Sequence, residues 1–207
     1  MNAETSRRTV LIVAAGCAAG GALAEGFAAR GDKVIVADHD ERRVLALARH
    51  APRSIENLTL DPLHPGHCRC LGTIWADTPL DLLVHLHALR RPRRAGAAVA
   101  AIPALTRGLG RGLERGEGLV MVACRAPQQG AMPEAHAFDA ALTALAPHMQ
   151  AEAGRRARIN VLRLAPGTGC VALAQAVTRL AEQRQNGPRG AVLDLGWAGD
   201  GTRAQAD

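Results

Sequence analysis

Apolar strand segments alternate with helical segments along nearly the whole chain. The first segment, residues 9–15, reads TVLIVAA, a continuous apolar run typical of a parallel strand that is covered on both faces. Six more strands are predicted at 33–38, 55–61, 80–88, 118–124, 158–167 and 190–197, with helical patterns between them. The alternation predicts one α/β domain with a Rossmann-like, doubly wound parallel sheet of about seven strands and helices on both faces.

This domain is expected to span residues 9–198, with polar and flexible ends at 1–8 and 199–207. A chain of 207 residues is long enough to bury a core without disulfides or a metal. The longest apolar runs are too short to span a bilayer. The five cysteines are odd in number, and no signal peptide is recognisable, so we expect a cytoplasmic protein.

The positive charge of the chain does not by itself indicate a nucleic-acid partner. The formal net charge is +6 and the isoelectric point is near 9.9. Lys33 is the only lysine, and the arginines are spread along the sequence. Two phenylalanines, two tryptophans and no tyrosine leave few rings on which bases could stack. We therefore expect no nucleic-acid binding.

A glycine-rich turn, GCAAGGA at 16–22, follows the first strand and opens the first helix. Gly16 suits a tight turn, Gly20 lets the backbone approach a pyrophosphate, and a small residue at 22 lets helix and strand pack closely. The helix N-terminus would present N–H groups and the positive end of its dipole to phosphates. The alternative is a turn with a purely structural role.

Asp38 ends the second strand, where an acid can accept hydrogen bonds from an adenosine ribose. An acid here favours NAD(H) over NADP(H), because a 2′-phosphate would meet its negative charge. Arg42 and Arg43 argue the other way, since either side chain could reach such a phosphate. The alternative role for Asp38 is to cap the second helix.

The sequence resembles the short-chain dehydrogenase/reductase family over nearly its whole length. AAGCAAGGA is similar to the family turn T-G-x-x-x-G-x-G, and LLVHLHA stands where L-V-N-N-A-G is usual. GLVMVAC, RINVLRLAPG and GAVLDLGW resemble the family's fifth, sixth and last strands. The resemblance implies that Asp61 contacts the adenine ring and that His85 replaces an asparagine of the cofactor site.

The residues that carry the family's chemistry are replaced. The segment EAHAFDAALTAL resembles the helix Y-x-x-S-K-A-A-L, which puts Ala135 at the tyrosine position and Asp139 at the lysine position. Cys124 stands at the serine position, and the asparagine position falls near Ala97. A register shifted by one residue would offer His136, so Cys124 and His136 are the candidates for moving a proton. The segment 168–189 is also short, which implies a reduced substrate lid.

Three other patterns have a functional and a structural interpretation. HPGHCRC brings together His64, His67, Cys68 and Cys70, types that suit zinc, but Cys68 and its helical neighbours also fit a buried helix face. The segment RRPRR at 90–94 could bind an anion or form a solvated loop. Cys124 could act as a nucleophile if His136 served as its base, or be a buried, inert thiol. We predict no metal site.

The function predicted from these patterns is a dehydrogenase-like protein without ordinary hydride transfer, acting as a regulatory or scaffolding subunit. NAD(H) is the expected cofactor, unless the nucleotide site is empty and the protein is an adaptor. The alternative is an atypical NAD(P)-dependent oxidoreductase, or a non-redox enzyme using Cys124 or His136. Helices at 96–115 and 134–153 are expected to pair with a second copy or with an active relative.

Overall fold

A computed structural model describes residues 7–75 and 78–196. Within these residues the strands form one parallel sheet in the order β3-β2-β1-β4-β5-β6-β7. The strands are β1 (Thr9–Val13), β2 (Lys33–Asp38), β3 (Ile55–Thr59), β4 (Leu82–His85), β5 (Leu119–Arg125), β6 (Arg158–Leu164) and β7 (Val192–Leu195). The predicted α/β, Rossmann-like fold is confirmed. The predicted flexible ends lie outside the described residues, apart from Arg7 and Arg8.

The helices connect successive strands and cover both faces of the sheet. They are α1 (Ala18–Ala29), α2 (Glu41–His50), α3 (Pro65–Trp75), α4 (His87–Arg90), α5 (Ala95–Gly108), α6 (Gly110–Arg115), α7 (Pro133–Ala153) and α8 (Cys170–Glu182). Between β6 and β7 the chain has only α8 and a short 3-10 turn at Arg184–Asn186.

Alternate residues of each strand enter two separate apolar layers, as parallel strands buried on both faces require. Val10 and Ile12 of β1 face the layer that α1, α2 and α8 cover. Leu11 and Val13 face the layer that α3, α5 and α7 cover. Aliphatic side chains fill both layers, and Phe27 is the one aromatic side chain among the largest fully buried ones in the described residues.

Several predicted bounds differ from those observed by a few residues, and two predicted elements differ in type or continuity. The strand predicted at 80–88 ends at His85, and the next apolar residues form the short helix α4. The helix predicted at 96–115 is divided at Leu109 into α5 and α6. Helix α3 packs closely beside this break, since a Cβ at Gly72 of α3 would lie 2.7 Å from the carbonyl oxygen of Gly108.

Helix α7 covers the sheet with an apolar stripe. Leu142 and Met149 are buried, and Phe138 and Leu145 pack against the same layer. Small residues follow an adjacent, exposed face, where Ala144 is open to solvent. The stripe therefore serves the sheet, which leaves only the small-residue face for a partner.

Candidate functional site

The carboxyl ends of β1 and β2 meet at Asp38, whose carboxylate is 0% exposed. Oδ2 accepts the backbone N–H of Gly16 at 2.9 Å, and Oδ1 accepts that of Asp40 at 3.0 Å. The glycine turn and the end of β2 are thereby joined through one buried carboxylate. The alternative role, capping of α2, belongs to Asp40, which accepts the N–H of Arg43 at 3.3 Å.

A guanidinium and an imidazole complete the environment of Asp38. Arg90, the last residue of α4, places Nε 3.3 Å from Oδ2 and Nη2 3.6 Å from Asp40 Oδ2. His39 Nδ1 lies 2.7 Å from Oδ1. Burial acts to raise the pKa of Asp38, but the N–H groups of Asp40 and Gly16, with Arg90 and His39, outweigh it and hold the pKa below its ordinary value. The carboxylate therefore stays ionised.

Little space remains beside this carboxylate. The cavity there measures about 10 Å³, and it is lined by Ala14, Asp38, His39, Pro62, Leu63, His87, Arg90 and Arg91. An adenosine ribose that bonded to Asp38 would have to displace the Arg90 side chain. Asp38 remains a predicted ribose ligand. The sequence offered Arg90 only as part of the segment 90–94, a candidate anion site or solvated loop, and its pairing with Asp38 was not predicted.

The glycine turn is compact, with no room for a side chain at Gly20 and little room for one at Gly16. A Cβ at Gly20 would lie 2.0 Å from the carbonyl oxygen of Ala15, and one at Gly16 would lie 3.0 Å from Asp38 Cγ. The carbonyl oxygen of Gly16 accepts a hydrogen bond from Arg43 Nη1 at 2.8 Å. These contacts give a structural reason for glycine at both positions. Their predicted approach to a pyrophosphate stays a prediction.

The other two predicted cofactor residues lie on either side of this cluster. Asp61 is in the turn before α3, where Oδ1 accepts the N–H of Leu63 at 3.1 Å. The imidazole of His85 is fully buried, with Nε2 3.0 Å from Thr106 Oγ1. Thr106 donates its proton to the carbonyl of Ile102, so the His85 Nε2–H must donate to Thr106. The His85 ring is therefore buried at the end of β4 and is hydrogen-bonded to α5.

His87 forms a buried pair with His85, their ring centroids 5.3 Å apart. His87 Nε2 lies 3.2 Å from the carbonyl oxygen of Pro62. Burial lowers the pKa of His87 to about 4 and that of His85 well below its ordinary value. Both rings are therefore neutral near pH 7, and both Nδ1 atoms lack a hydrogen-bond partner.

A larger cavity of about 670 Å³ lies at the carboxyl end of β5. Cys124 lines this cavity and is buried, and burial, with Asp139 close by, raises the pKa of its thiol to about 12. His136 is exposed on the first turn of α7 and is not part of the cavity lining. The structure therefore does not bring the two proton-transfer candidates together in the cavity. Cys124 has the environment of an inert thiol.

Asp139, at the position that the resemblance gives to lysine, forms a tight ion pair with Arg163. Arg163 Nε lies 3.0 Å from both carboxylate oxygens, and Nη2 lies 2.8 Å from Oδ2. Arg163 is the register partner of Cys124 on the neighbouring strand, and its Nη1 extends to Asp194 at 3.4 Å. Sequence reasoning missed Arg163, although an arginine inside the apolar strand RINVLRL is a signal that could have found it.

The histidine and cysteine group before α3 is held by local hydrogen bonds. His64 and His67 have ring centroids 4.5 Å apart, His67 Nδ1 accepts the N–H of Asp61, and buried Cys68 donates to the carbonyl of Pro62. Within residues 7–75 and 78–196, no three side chains of the types His, Cys, Asp and Glu are grouped as metal ligands. In the same part of the chain, no helix combines the length and the apolar character needed to cross a membrane.

No protein-family model matches the chain, and no curated protein matches it. Solved structures do. The structure of 3-ketoacyl-(acyl-carrier-protein) reductase from Brucella melitensis complexed with NADH superposes with a TM-score of 0.75 at 17% identity, over 91% of this chain and 96% of the other. A short-chain dehydrogenase from Streptomyces avermitilis gives 0.73 at 19% identity, over 92% and 89%.

A metagenomic short-chain oxidoreductase in complex with NADP gives a TM-score of 0.68 at 20% identity, over 88% of this chain and 93% of the other. These similarities show that the chain has the fold of short-chain dehydrogenases.

Proposed function

We propose that this chain is a member of the short-chain dehydrogenase/reductase family that has lost hydride transfer and acts as a regulatory or scaffolding subunit. The observation that carries the proposal is the Asp139–Arg163 ion pair at the lysine position. In the family mechanism a tyrosine exchanges a proton with the substrate oxygen. The lysine lowers the pKa of that tyrosine and holds the nicotinamide ribose.

An acid at this position reverses the local charge that the mechanism needs. Asp139 cannot lower the pKa of a neighbouring acid, and Arg163 neutralises it from β6. Ala135, at the tyrosine position, lines the cavity with a methyl group and offers no proton. Positioned proton transfer contributes about 10²–10⁴-fold to such reactions, so its loss should leave little reductase activity.

We propose NAD(H) as the cofactor of the nucleotide end, bound through Gly16, Gly20, Asp38 and Asp61. Support comes from the ionised Asp38 carboxylate at the carboxyl edge of the sheet, which favours a ribose over a 2′-phosphate. Arg90 must swing away from Asp38 for binding. The protein would then bind its nucleotide only at the cost of breaking that ion pair.

The scaffolding role requires a partner, and we propose that the small-residue face of α7, together with α5, binds a second copy or an active relative. Ala137, Ala140 and Ala144 are exposed on α7 and allow close helix approach. We also propose a cytoplasmic location, supported by the odd number of cysteines in the sequence, which does not suit a disulfide framework.

An NADH-oxidation assay over aldehydes and ketones, at high enzyme concentration, tests the loss of hydride transfer. We expect no turnover above the rate of an enzyme-free blank. Turnover by the wild type that disappears in Cys124→Ala or His136→Ala would contradict the proposal and establish the alternative, an atypical oxidoreductase. Light scattering that gives a monomer of 21.7 kDa, together with a host pull-down without a related dehydrogenase, would refute the scaffolding role.

A further inference from the structure

A groove at the amino edge of the sheet, opposite the nucleotide end, concentrates arginine side chains. It lies where β5 and β6 begin and has a volume of about 650 Å³. Its lining consists of Glu114, Glu117, Arg155, Arg156, Ala157, Arg158, Gln185 and Arg189. Four arginines therefore face two glutamates in one groove, which is of the size that binds small molecules. Nothing in the proposed function uses this groove.

Arg158, the first residue of β6, is the buried member of the group, with 2% of its surface exposed. Its Nη2 donates to the carbonyl oxygen of Leu180 at 3.2 Å, but its buried Nε and Nη1 have no hydrogen-bond partner. A buried cation with unmade hydrogen bonds is costly, and such groups normally have an anionic partner. Burial and the nearby Arg189 both lower the pKa of Arg158.

Two other arginines of the groove, Arg156 and Arg189, donate hydrogen bonds to backbone carbonyl oxygens. Arg189 Nη1 donates to Ala157 at 3.2 Å, and Arg156 donates to Ala153 and to the carbonyl of Glu152 at 3.1 and 2.9 Å. Throughout residues 7–75 and 78–196, no carboxylate lies within ion-pair distance of the four groove arginines. With four arginines and two glutamates, the lining of the groove carries a net positive charge.

We propose that this groove binds a small phosphate-bearing molecule, with the guanidinium groups of Arg158 and Arg189 as its principal donors. Planar guanidinium forks match the oxygens of a phosphate, and their charge-assisted bonds are stronger than neutral ones. Arg158 is pre-positioned, because its backbone is in register with Leu119 of β5 and its Nη2 is held by Leu180. Gln185 adds neutral donors at the rim.

Calorimetric titration with inorganic phosphate and with pyrophosphate, in a phosphate-free buffer of low salt, tests the proposal. We expect one binding site per chain and pyrophosphate tighter than phosphate. Arg189→Gln should weaken binding roughly tenfold because a charge-assisted bond is lost. Arg179→Gln is the matched control, since Arg179 is exposed on α8 outside the groove and carries the same charge. It should leave the affinity unchanged.

Two further variants keep the test independent of protein folding. Arg158→Lys retains the buried charge but removes the fork, and it should weaken pyrophosphate binding while circular dichroism stays native. Glu117→Gln removes a repelling carboxylate from the exposed rim and should tighten binding about two- to fivefold.

Several outcomes would overturn the proposal. They are no heat of binding at about 10 mM pyrophosphate, equal weakening by Arg179→Gln, and affinity that is unchanged in Arg189→Gln. The last would place the anion elsewhere, for example at the glycine turn. Binding of a single-stranded oligonucleotide that depends equally on Arg179 and Arg189 would indicate a broad nucleic-acid surface instead of this site.

Discussion

Arg90 separates the Asp38 carboxylate from solvent, so Arg90→Ala is the substitution that tests the proposed nucleotide site most directly. The wild-type guanidinium lies 3.3 Å from Asp38 and 3.6 Å from Asp40. Truncation at Cβ enlarges the cavity of about 10 Å³ beside the carboxylate, and it frees an Asp38 oxygen to accept a hydrogen bond from a ribose hydroxyl. We therefore expect NADH to bind the variant more tightly than the wild type.

The magnitude follows from the contact that NADH no longer has to break. A hydrogen bond to a charged group contributes about 1.5–3 kcal/mol. The Arg90 side chain keeps 16% of its surface in solvent, which lowers the contribution to roughly 1–3 kcal/mol. Converted to affinity, the Kd for NADH should fall by about 5–150-fold. The free energy of unfolding should fall by the same roughly 1–3 kcal/mol, because Asp38 loses its partner.

The pH dependence of stability gives a second readout of the same contact. The pKa of Asp38 in the folded protein lies below its ordinary value of 3.8. The resulting stabilisation is present above the unfolded pKa and is lost as the pH falls through the folded pKa. Removing Arg90 raises the pKa of Asp38 in the folded state. Between pH 5 and pH 3, about one pH unit either side of the ordinary Asp pKa, the variant should therefore lose less unfolding free energy than the wild type does.

The assay is calorimetric titration of NADH at pH 7 with the wild type, Arg90→Ala and Arg91→Ala. Arg91 lines the same small cavity and carries the same charge, so it controls for general electrostatic effects. Circular dichroism and urea unfolding confirm that each variant is folded. Equal NADH affinity in folded Arg90→Ala and wild-type protein, or equal tightening by Arg91→Ala, would refute the reasoning that Arg90 competes with the ribose.

Three further predictions concern single residues. Gly20→Ala should lower the free energy of unfolding, measured by urea titration, by about 3 kcal/mol or more, because its Cβ would lie 2.0 Å from a carbonyl oxygen. Gly26→Ala is the control: its Cβ would meet nothing within 4 Å, so the same measurement should show a rise of about 0.5–1 kcal/mol. Cys124, with a thiol pKa of about 12, should stay unalkylated by iodoacetamide at pH 8, where mass spectrometry should find exposed Cys70 modified. Asp139→Asn should lower the free energy of unfolding, measured by urea titration, by about 1–3 kcal/mol, because Arg163 loses a charged, half-buried contact. A loss below about 0.5 kcal/mol, which is usual for a surface substitution, would contradict a stabilising role of the Asp139–Arg163 ion pair.

The sequence predicted the architecture because the signals for it are local. The apolar run of β1, the glycine turn after it and the acid at the end of β2 follow one another within residues 9–38. Their order requires a parallel sheet, and the carboxyl ends of parallel strands share one edge, so Gly16 and Asp38 had to be neighbours. The absence of tyrosine and lysine from the helix 133–153 was likewise visible from residue identity alone.

Boundaries were less well predicted where an apolar run fits two structures. The segment 80–88 has the composition of a buried strand, but the chain turns after His85 and continues as α4. Periodicity alone cannot separate a buried strand from a buried helix of this length. That turn determines where Arg90 lies, and so it also determines the surroundings of the nucleotide end.

Only the tertiary structure decided what the polar side chains do, because their partners are distant in sequence. Asp38 meets Arg90 across 52 residues, and Asp139 meets Arg163 across 24. Arg158 is one of many arginines in the sequence, and it becomes distinctive only when burial leaves two of its nitrogens without partners. Periodicity reports which face of an element is buried, whereas charge pairing depends on where separate elements end, and that is settled by packing.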